Sequence, residues 1–165
     1  MYYKIDLSNY TPRETRIYLE YDKYNFSPYQ LESIQVELDN FKDSYGYGNG
    51  EGDRKPWKNW TLDDLKYRLE NNWTFYLIGN GRDGLPLPVI EGWAFIDWNR
   101  KYPYLNNRYV TPKFRKSGLG NDLVWLRCNE VVKRGLNTAS IRLDKWNTPS
   151  LSVMKENIFT EIDDI

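Results

Sequence analysis

Residues 115–120 read Arg-Lys-Ser-Gly-Leu-Gly, with Lys113 close before them. Gly118 and Gly120 lack a Cβ, so the backbone there can come close to a ligand. The segment follows a strand-like run, Tyr109-Val110-Thr111-Pro112, and opens a helix-like run. A helix start offers N–H groups that lack an intrahelical acceptor, together with the positive end of the helix dipole. Cations at the same place complete a cradle for an anion, best suited to a phosphate or pyrophosphate. Taken alone, two spaced glycines fit a plain loop equally well. No Gly-Lys-Ser/Thr follows, so this is not the phosphate loop of a nucleoside triphosphatase. Nor is there a third spaced glycine with an acidic residue about 20 positions on, as a dinucleotide fingerprint requires.

The residues that are missing narrow the chemistry further. The 165-residue chain has no histidine and one cysteine, Cys128. That excludes His-based triads and His metal sites, and it leaves a structural zinc almost no ligands; no metal is expected. A general base must then come from another residue type. Glu91 and Asp97 alternate on one strand with Trp93 and Phe95, so all four share a face. A carboxylate among rings has a raised pKa and can accept a proton near neutral pH. Two solvated carboxylates at strand ends are the plainer alternative. Tyr104 and Tyr109 can relay a proton or simply pack.

These groups need a scaffold, and hydrophobic periodicity outlines one. Residues 2–7 read as a short strand. Residues 11–14 have the form of a helix start, with Thr11 as cap and Pro12 first, whereas 16–21 alternates like a strand; both stay open. Helical spacing of Leu31, Ile34, Leu38 and Phe41 predicts a helix over 29–41. Residues 44–60, with Gly46, Gly48, Gly50 and Gly52, form a long loop. A helix follows over 61–71, then an antiparallel hairpin from 73–79 and 89–98. A third strand spans 104–110. The long helix 118–134 carries Leu119, Leu123, Val124, Leu126, Cys128, Val131 and Val132 inward and stops at Gly135. A strand over 139–145, a helix over 149–157 and a closing strand over 158–162 complete the chain. The sum is a mixed α/β (α+β) layer in a single domain spanning 1–165.

Composition bounds the partners. Lys plus Arg number 23 and Asp plus Glu number 23, so no global field favours nucleic acid or an anionic membrane. No apolar run approaches the roughly 20 residues of a membrane helix. The first residues lack the apolar stretch of a signal peptide, and a lone cysteine suits a reducing compartment, so a cytoplasmic location is expected. Aromatics make up 16% of the chain while alanine occurs only twice. Rings therefore either fill the core or line a groove.

Arg-x-x-Gly-x-Gly between a strand ending at 109–112 and a long helix resembles the acetyl-CoA site of the GCN5-related N-acetyltransferases. Asn147-Thr-Pro-Ser150, then Met154-Lys-Glu-Asn and Phe159, is similar to that family's second block. The resemblance covers residues 89–159. It implies a central, mostly antiparallel sheet flanked by helices, acetyl-CoA as cosubstrate and direct attack by a neutral primary amine on the thioester within one ternary complex. Backbone N–H groups of Lys116, Ser117, Gly118, Leu119, Gly120 and Asn121 would hold the CoA pyrophosphate. Arg115 stands where the family has an Arg or Gln. The strand through Tyr109 and Val110 would pair with the pantetheine arm, and the N–H of Val110 or Thr111 would stabilise the oxyanion. Asn147 matches an Asn that contacts the cofactor; it reads equally as a turn residue or cap before Pro149. Glu91, Asp97 and Tyr109 are the catalytic candidates.

The sequence departs from the family pattern in three places. The family often has a Tyr in the last helix as general acid; the matching residue here is Met154. Ile158 replaces the Gly before the Phe. Either another group protonates the leaving thiolate, or it departs as a thiolate held by helix dipoles, or catalysis is weak. A CoA-binding or protein-interaction module is the alternative to an enzyme. Transfer of a larger acyl or aminoacyl group is a third reading. The chain also ends soon after its closing strand begins, where many relatives add another strand. The sheet would then be shortened, or completed by the N-terminal strand or by a second copy, which leaves a homodimer open. The amine would enter near the loop holding Glu51, Asp53, Lys55 and Trp57, residues that fit a plain surface loop as well.

Overall fold

The computed structural model describes residues 2–15, 18–21, 35, 62–79, 90–106, 108–110, 118–142 and 158–163. They form strands β1 (Tyr2–Asp6), β2 (Tyr18–Tyr21), β3 (Trp73–Gly79), β4 (Ile90–Asp97), β5 (Tyr104–Leu105), β6 (Arg108–Val110), β7 (Thr138–Arg142) and β8 (Phe159–Ile162). Two helices accompany them, α1 (Leu62–Glu70) and α2 (Leu119–Lys133). Across the sheet the order is β2-β3-β4-β5-β7-β1-β8, with β6 paired to β4. Every described pairing is antiparallel except that of β5 with β7. The mixed α/β layering is what the periodicity predicts, and a central, mostly antiparallel sheet flanked by helices is what the resemblance to the GCN5-related N-acetyltransferases implies. The helix expected over 29–41, of which only the helical Gln35 is described, the loop over 44–60 and the helix over 149–157 lie outside the described residues.

Two open questions from the sequence close here. Residues 11–15 are not helical, and the strand that follows pairs with β3 from Tyr18↔Ile78 to Tyr21↔Phe75. The sheet is completed by the chain's own N-terminal strand: β1 sits between β7 and β8, with Ile5 facing Ala139 on one side and Phe159 on the other. Its alternation explains the choice. Tyr3, Ile5 and the following Leu7 are buried in the core, so only an interior position in the sheet covers both edges of a strand whose one face is this apolar.

The sheet has a core on each side. On one face α2 buries Leu119, Leu123, Val124, Leu126, Cys128 and Val131 against Ile5, Tyr76, Ile78, Ala94, Ile96, Ala139 and Ile141. On the other face rings stack. Phe75 and Phe95 are register partners with centroids 4.6 Å apart, and Trp93 meets Phe95 edge-on at 5.5 Å. Phe75, Trp93 and Phe95 are all fully buried, as is Leu65 of α1, which packs against β3. The aromatic richness of the chain is thus spent on core volume at these positions.

The stretch after β1 is tied down on α2 by one side chain. Asn129 Oδ1 accepts from the Tyr10 hydroxyl (2.6 Å) and the Arg13 N–H (3.0 Å), while its Nδ2 donates to the Arg13 carbonyl (2.7 Å). The Arg13 guanidinium lies 3.8 Å from the centre of the Trp125 ring, a cation–π contact. Burial pushes the Tyr10 phenol above its ordinary pKa, so it remains a donor. Asn129→Ala removes three hydrogen bonds from this part-buried contact, leaving the Tyr10 hydroxyl its longer 3.4 Å bond to the Trp125 carbonyl. We expect a loss of about 1–3 kcal/mol in urea unfolding, with the midpoint moving and the slope unchanged.

Cys128 provides a pH signature of the same helix. Burial pushes its thiol up to about 12, against smaller opposite pulls from Arg127 and Arg13. The folded thiol holds its proton to higher pH than the unfolded one. Its contribution to stability is therefore complete below about pH 9 and is lost as pH rises toward 12. Urea unfolding from pH 7.5 to 11 should show the parent losing stability relative to Cys128→Ala above pH 9. Parallel pH profiles for the two proteins would rule out the shift.

Candidate functional site

Strand β4 is the rail on which the site is built, and its register with the next strand contains the decisive irregularity. Asp97 faces Tyr104, and Ala94 faces Arg108. Three steps along β4 thus correspond to four along the strand opposite. One extra residue is accommodated between Leu105 and Arg108, a β-bulge that bends and twists its strand. The single strand expected over 104–110 is therefore two short pieces. The first, β5, runs parallel to β7 with Leu105 facing Ile141; the second, β6, pairs with β4 from Ala94↔Arg108 to Gly92↔Val110. Among the described residues β7 pairs with β5 and not with β6. β5 and β7 run together as far as Leu105 and Ile141, β6 continues the pairing with β4, and the residues from 143 to 157 lie outside the described residues.

Just beyond β6 the chain reaches α2. Gly118 caps this helix with φ 84° and ψ 0°, the left-handed conformation, and makes no side-chain cap hydrogen bond. The Gly118 carbonyl accepts the Asp122 N–H at 3.1 Å, closing the first turn. Glycine is required by this backbone: an L-residue at φ 84° costs about 1–2 kcal/mol. The same conformation keeps any side chain off the helix start, where Leu119, Gly120 and Asn121 begin the turn. Gly118 thus carries the backbone that an anion cradle needs. Thr111, Arg115, Lys116, Ser117, Asn147 and Met154 lie outside the described residues.

The carboxylates separate. Glu91 and Asp97 are six residues apart on one strand, about 20 Å, so they cannot serve one reacting atom. Asp97 is not a solvated strand end. It is 4% exposed, and its Oδ1 accepts from the Asn99 N–H and Nδ2, both at 2.9 Å, while Oδ2 accepts from Arg100 Nε at 3.2 Å. Asn99 Nδ2 also donates to the Asn71 carbonyl, and the Trp98 N–H to that of Asn72. Asp97 thus organises the turn that locks the end of β4 to the α1–β3 connection. Glu91 is half-buried and adjoins Gly92, the partner of Val110. Tyr109 is the register partner of Trp93. The fold brings Glu91, Tyr109 and Val110 to one end of the β4–β6 pair and sends Asp97 to the other.

An aminoglycoside acetyltransferase from an uncultured soil metagenomic sample, in complex with trehalose, superposes with a TM-score of 0.55 and 13% identity over 90% of this chain and 91% of that one. The aminoglycoside N-acetyltransferase AAC(6')-Iy, bound to a bisubstrate analogue of CoA and acetylneamine, gives 0.58 and 16% over 90% and 95%. A probable acetyltransferase gives 0.62 and 13% over 89% and 91%. The fold is that of the GCN5-related N-acetyltransferases. No protein-family model and no curated relative matches the sequence. The acetyltransferase fold is therefore held here by a distant sequence, and identities of 13–16% establish the fold and nothing finer.

One residue of this acetyltransferase fold was not singled out from sequence. Arg127 lies within the apolar stripe of α2 and is fully buried. Its Nε donates to the Leu123 carbonyl at 2.8 Å, and its Nη1 donates to the carbonyls of Phe95 at 3.0 Å and Asn106 at 3.2 Å. The signal was a lone cation between Leu126 and Cys128, inside a stripe otherwise apolar. Among the described residues there is no cluster of three or more His, Cys, Asp or Glu groups placed to hold a metal, and no helix long and apolar enough to cross a membrane.

Proposed function

We propose that the protein is an acetyl-CoA-dependent N-acetyltransferase acting on a primary amine. The observation that carries this reading is the bulge between β5 and β6 together with the next described element, a helix opened at a left-handed Gly118. The residues fit the donor. A strand turned away from its neighbour accepts an extended amide-bearing chain by strand addition, which needs backbone and no particular side chains. The helix start beyond it accepts a pyrophosphate, with backbone N–H groups of residues 116–121 as donors and Arg115 and Lys116 adding charge. Asn147 adds a contact near the second strand in the same reading.

Acetyl-CoA supplies the activated acyl group as a thioester. The chain's own residues do the rest. An amine with a pKa near 10 must shed a proton before it attacks. Glu91 is the base we favour, directly or through water, because it adjoins the Gly92–Val110 pair; Asp97 is occupied at the far end of β4. The N–H of Val110 or Thr111 stabilises the oxyanion. Tyr109 relays a proton at the same end. Aminosugars with several amines are the first acceptors to try, since two of the neighbours are described with such compounds.

Met154 favours a second reading, a CoA-binding or interaction module with weak or no catalysis, because a thioether cannot protonate a leaving thiolate. One experiment separates the two. Acetyl-CoA, CoA and longer acyl-CoAs are screened for a rise in melting temperature, and thiol release is then followed over a panel of amines. A ligand at 100 times its Kd stabilises by about 2.7 kcal/mol. Stabilisation by acetyl-CoA with turnover on an amine is the expected result. Stabilisation without turnover selects the CoA-binding module, and no stabilisation by any acyl-CoA rejects both CoA-dependent readings and leaves the interaction module.

A further inference from the structure

We propose that Arg127 is a positioning residue for the acyl donor: its guanidinium fixes the extra residue between β5 and β6 and so sets the line of the strand that receives the pantetheine arm. This rests on the acetyl-CoA reading above. Burying a guanidinium costs several kcal/mol unless its donors are met, and the acceptors that Nε and Nη1 find here are informative. One bond goes back to Leu123 in the same helix; the other two go to carbonyls on either side of the bulge, Phe95 in β4 and Asn106 in the inserted stretch. The Asn106 carbonyl also accepts the Phe95 N–H at 3.1 Å. A bulge takes its residues out of the regular ladder and leaves carbonyls in need of donors. Arg127 spans both strands from one nitrogen, Nη1, of a planar group whose Nε is anchored to the Leu123 carbonyl.

The arrangement is economical for one purpose. A core that needed only volume at position 127 would take Leu or Met, which bring no charge to bury. A rigid guanidinium held by its own helix instead links α2, whose first turn is the anion cradle, to the bulge that aims β6. The helix start and the receiving strand are thereby kept in fixed relation. Lysine carries the charge on a flexible stem without the fork, so it cannot hold both carbonyls in one geometry.

The test uses Arg127→Lys and Arg127→Met in the full chain. Hydrogen exchange without ligand comes first. Residues 92–96 and 104–110 should lose protection about tenfold in both variants, more in Met than in Lys, while 2–6 and 138–142 keep theirs. Titration with CoA and with 3′,5′-adenosine bisphosphate comes second. CoA should bind about tenfold more weakly and the nucleotide within about twofold of the parent, because the arm lies on the bulged strand and the phosphates on the helix start. Unchanged exchange around Phe95 overturns the proposal. Equal weakening of CoA and nucleotide also overturns it, since general loosening of the core would act on both. If Arg127→Met does not fold, Arg127→Lys decides; if neither folds, the residue serves the core alone and the positioning role is rejected. A parent that binds no CoA fails the acetyl-CoA reading, a result distinct from exchange that shows whether Arg127 holds the bulge.

Discussion

Gly120→Trp should bind acetyl-CoA about a hundredfold more weakly than the parent, or worse, while melting close to it. Gly120 is the second residue of α2, half-buried in the turn that Gly118 opens. An indole there occupies the space through which phosphate oxygens reach the first N–H groups. Losing two charge-assisted hydrogen bonds at about 1.5–3 kcal/mol each corresponds to a factor of about 10²–10⁴ in affinity. Gly118→Val should lose both affinity and stability, because a β-branched residue resists the left-handed backbone that φ 84° demands. Gly135 is the control. It has φ 82°, but a Cβ built on it meets nothing within 4 Å, and it lies at the other end of the helix. Gly135→Ala should cost about 1–2 kcal/mol in stability and leave CoA affinity unchanged. Isothermal titration with circular dichroism melts checks all three, and unchanged affinity in Gly120→Trp would sink the assignment of the cradle.

Phe95→Ala should be the most destabilising single truncation on the ring-bearing face of the sheet. Phe95 is fully buried, stacks on Phe75, and meets Trp93 and Trp73 edge-on. Truncating a buried Phe costs about 3–5 kcal/mol, which for a domain of this size is a fall of roughly 6–20 °C in melting temperature. The effect should reach the site as well. The Phe95 backbone carries both a donor to Asn106 and an acceptor for Arg127. Phe95→Leu, which keeps volume and the same backbone, should recover much of the loss. Guanidinium unfolding checks the magnitude, and a cost under about 1 kcal/mol would mean that the cluster is loosely packed.

A second expectation concerns salt. Arg115 and Lys116 are read as phosphate contacts, so CoA affinity should fall as ionic strength rises. An Arg115→Ala, Lys116→Ala double variant should lose affinity and most of that slope, whereas a matching slope would make the two cations a solvated face.

The parts of the fold legible in sequence were those governed by local chemistry. The hairpin of β3 and β4 follows from two strand-like apolar runs joined by glycine turns, and α2 from an apolar stripe that begins at Gly118 and ends at Gly135. The glycine at the helix start was legible for the same reason: Gly118 matters through the side chain it lacks, and that is visible in one dimension. The sequence reads 104–110 as one strand because no glycine or proline breaks it before Thr111-Pro112. Nothing local marks the inserted residue, which exists only relative to the register of β4.

What the sequence determined by itself was most of the described strands and both described helices, the exclusion of histidine chemistry and a glycine at the start of the long helix. Each depends on residue type and on periods of two or 3.6, which are properties of a short run of chain. The tertiary structure alone decided the rest. It placed β1 between β7 and β8, because the apolar face of that strand finds cover only there. It separated Glu91 from Asp97, which alternation had put on one face, by running the strand's length between them. It also turned Arg127 from an oddity in an apolar stripe into a clamp on two carbonyls from different strands. Pairing, register and the satisfaction of buried donors join residues far apart in the chain, and no local pattern encodes which of them will meet.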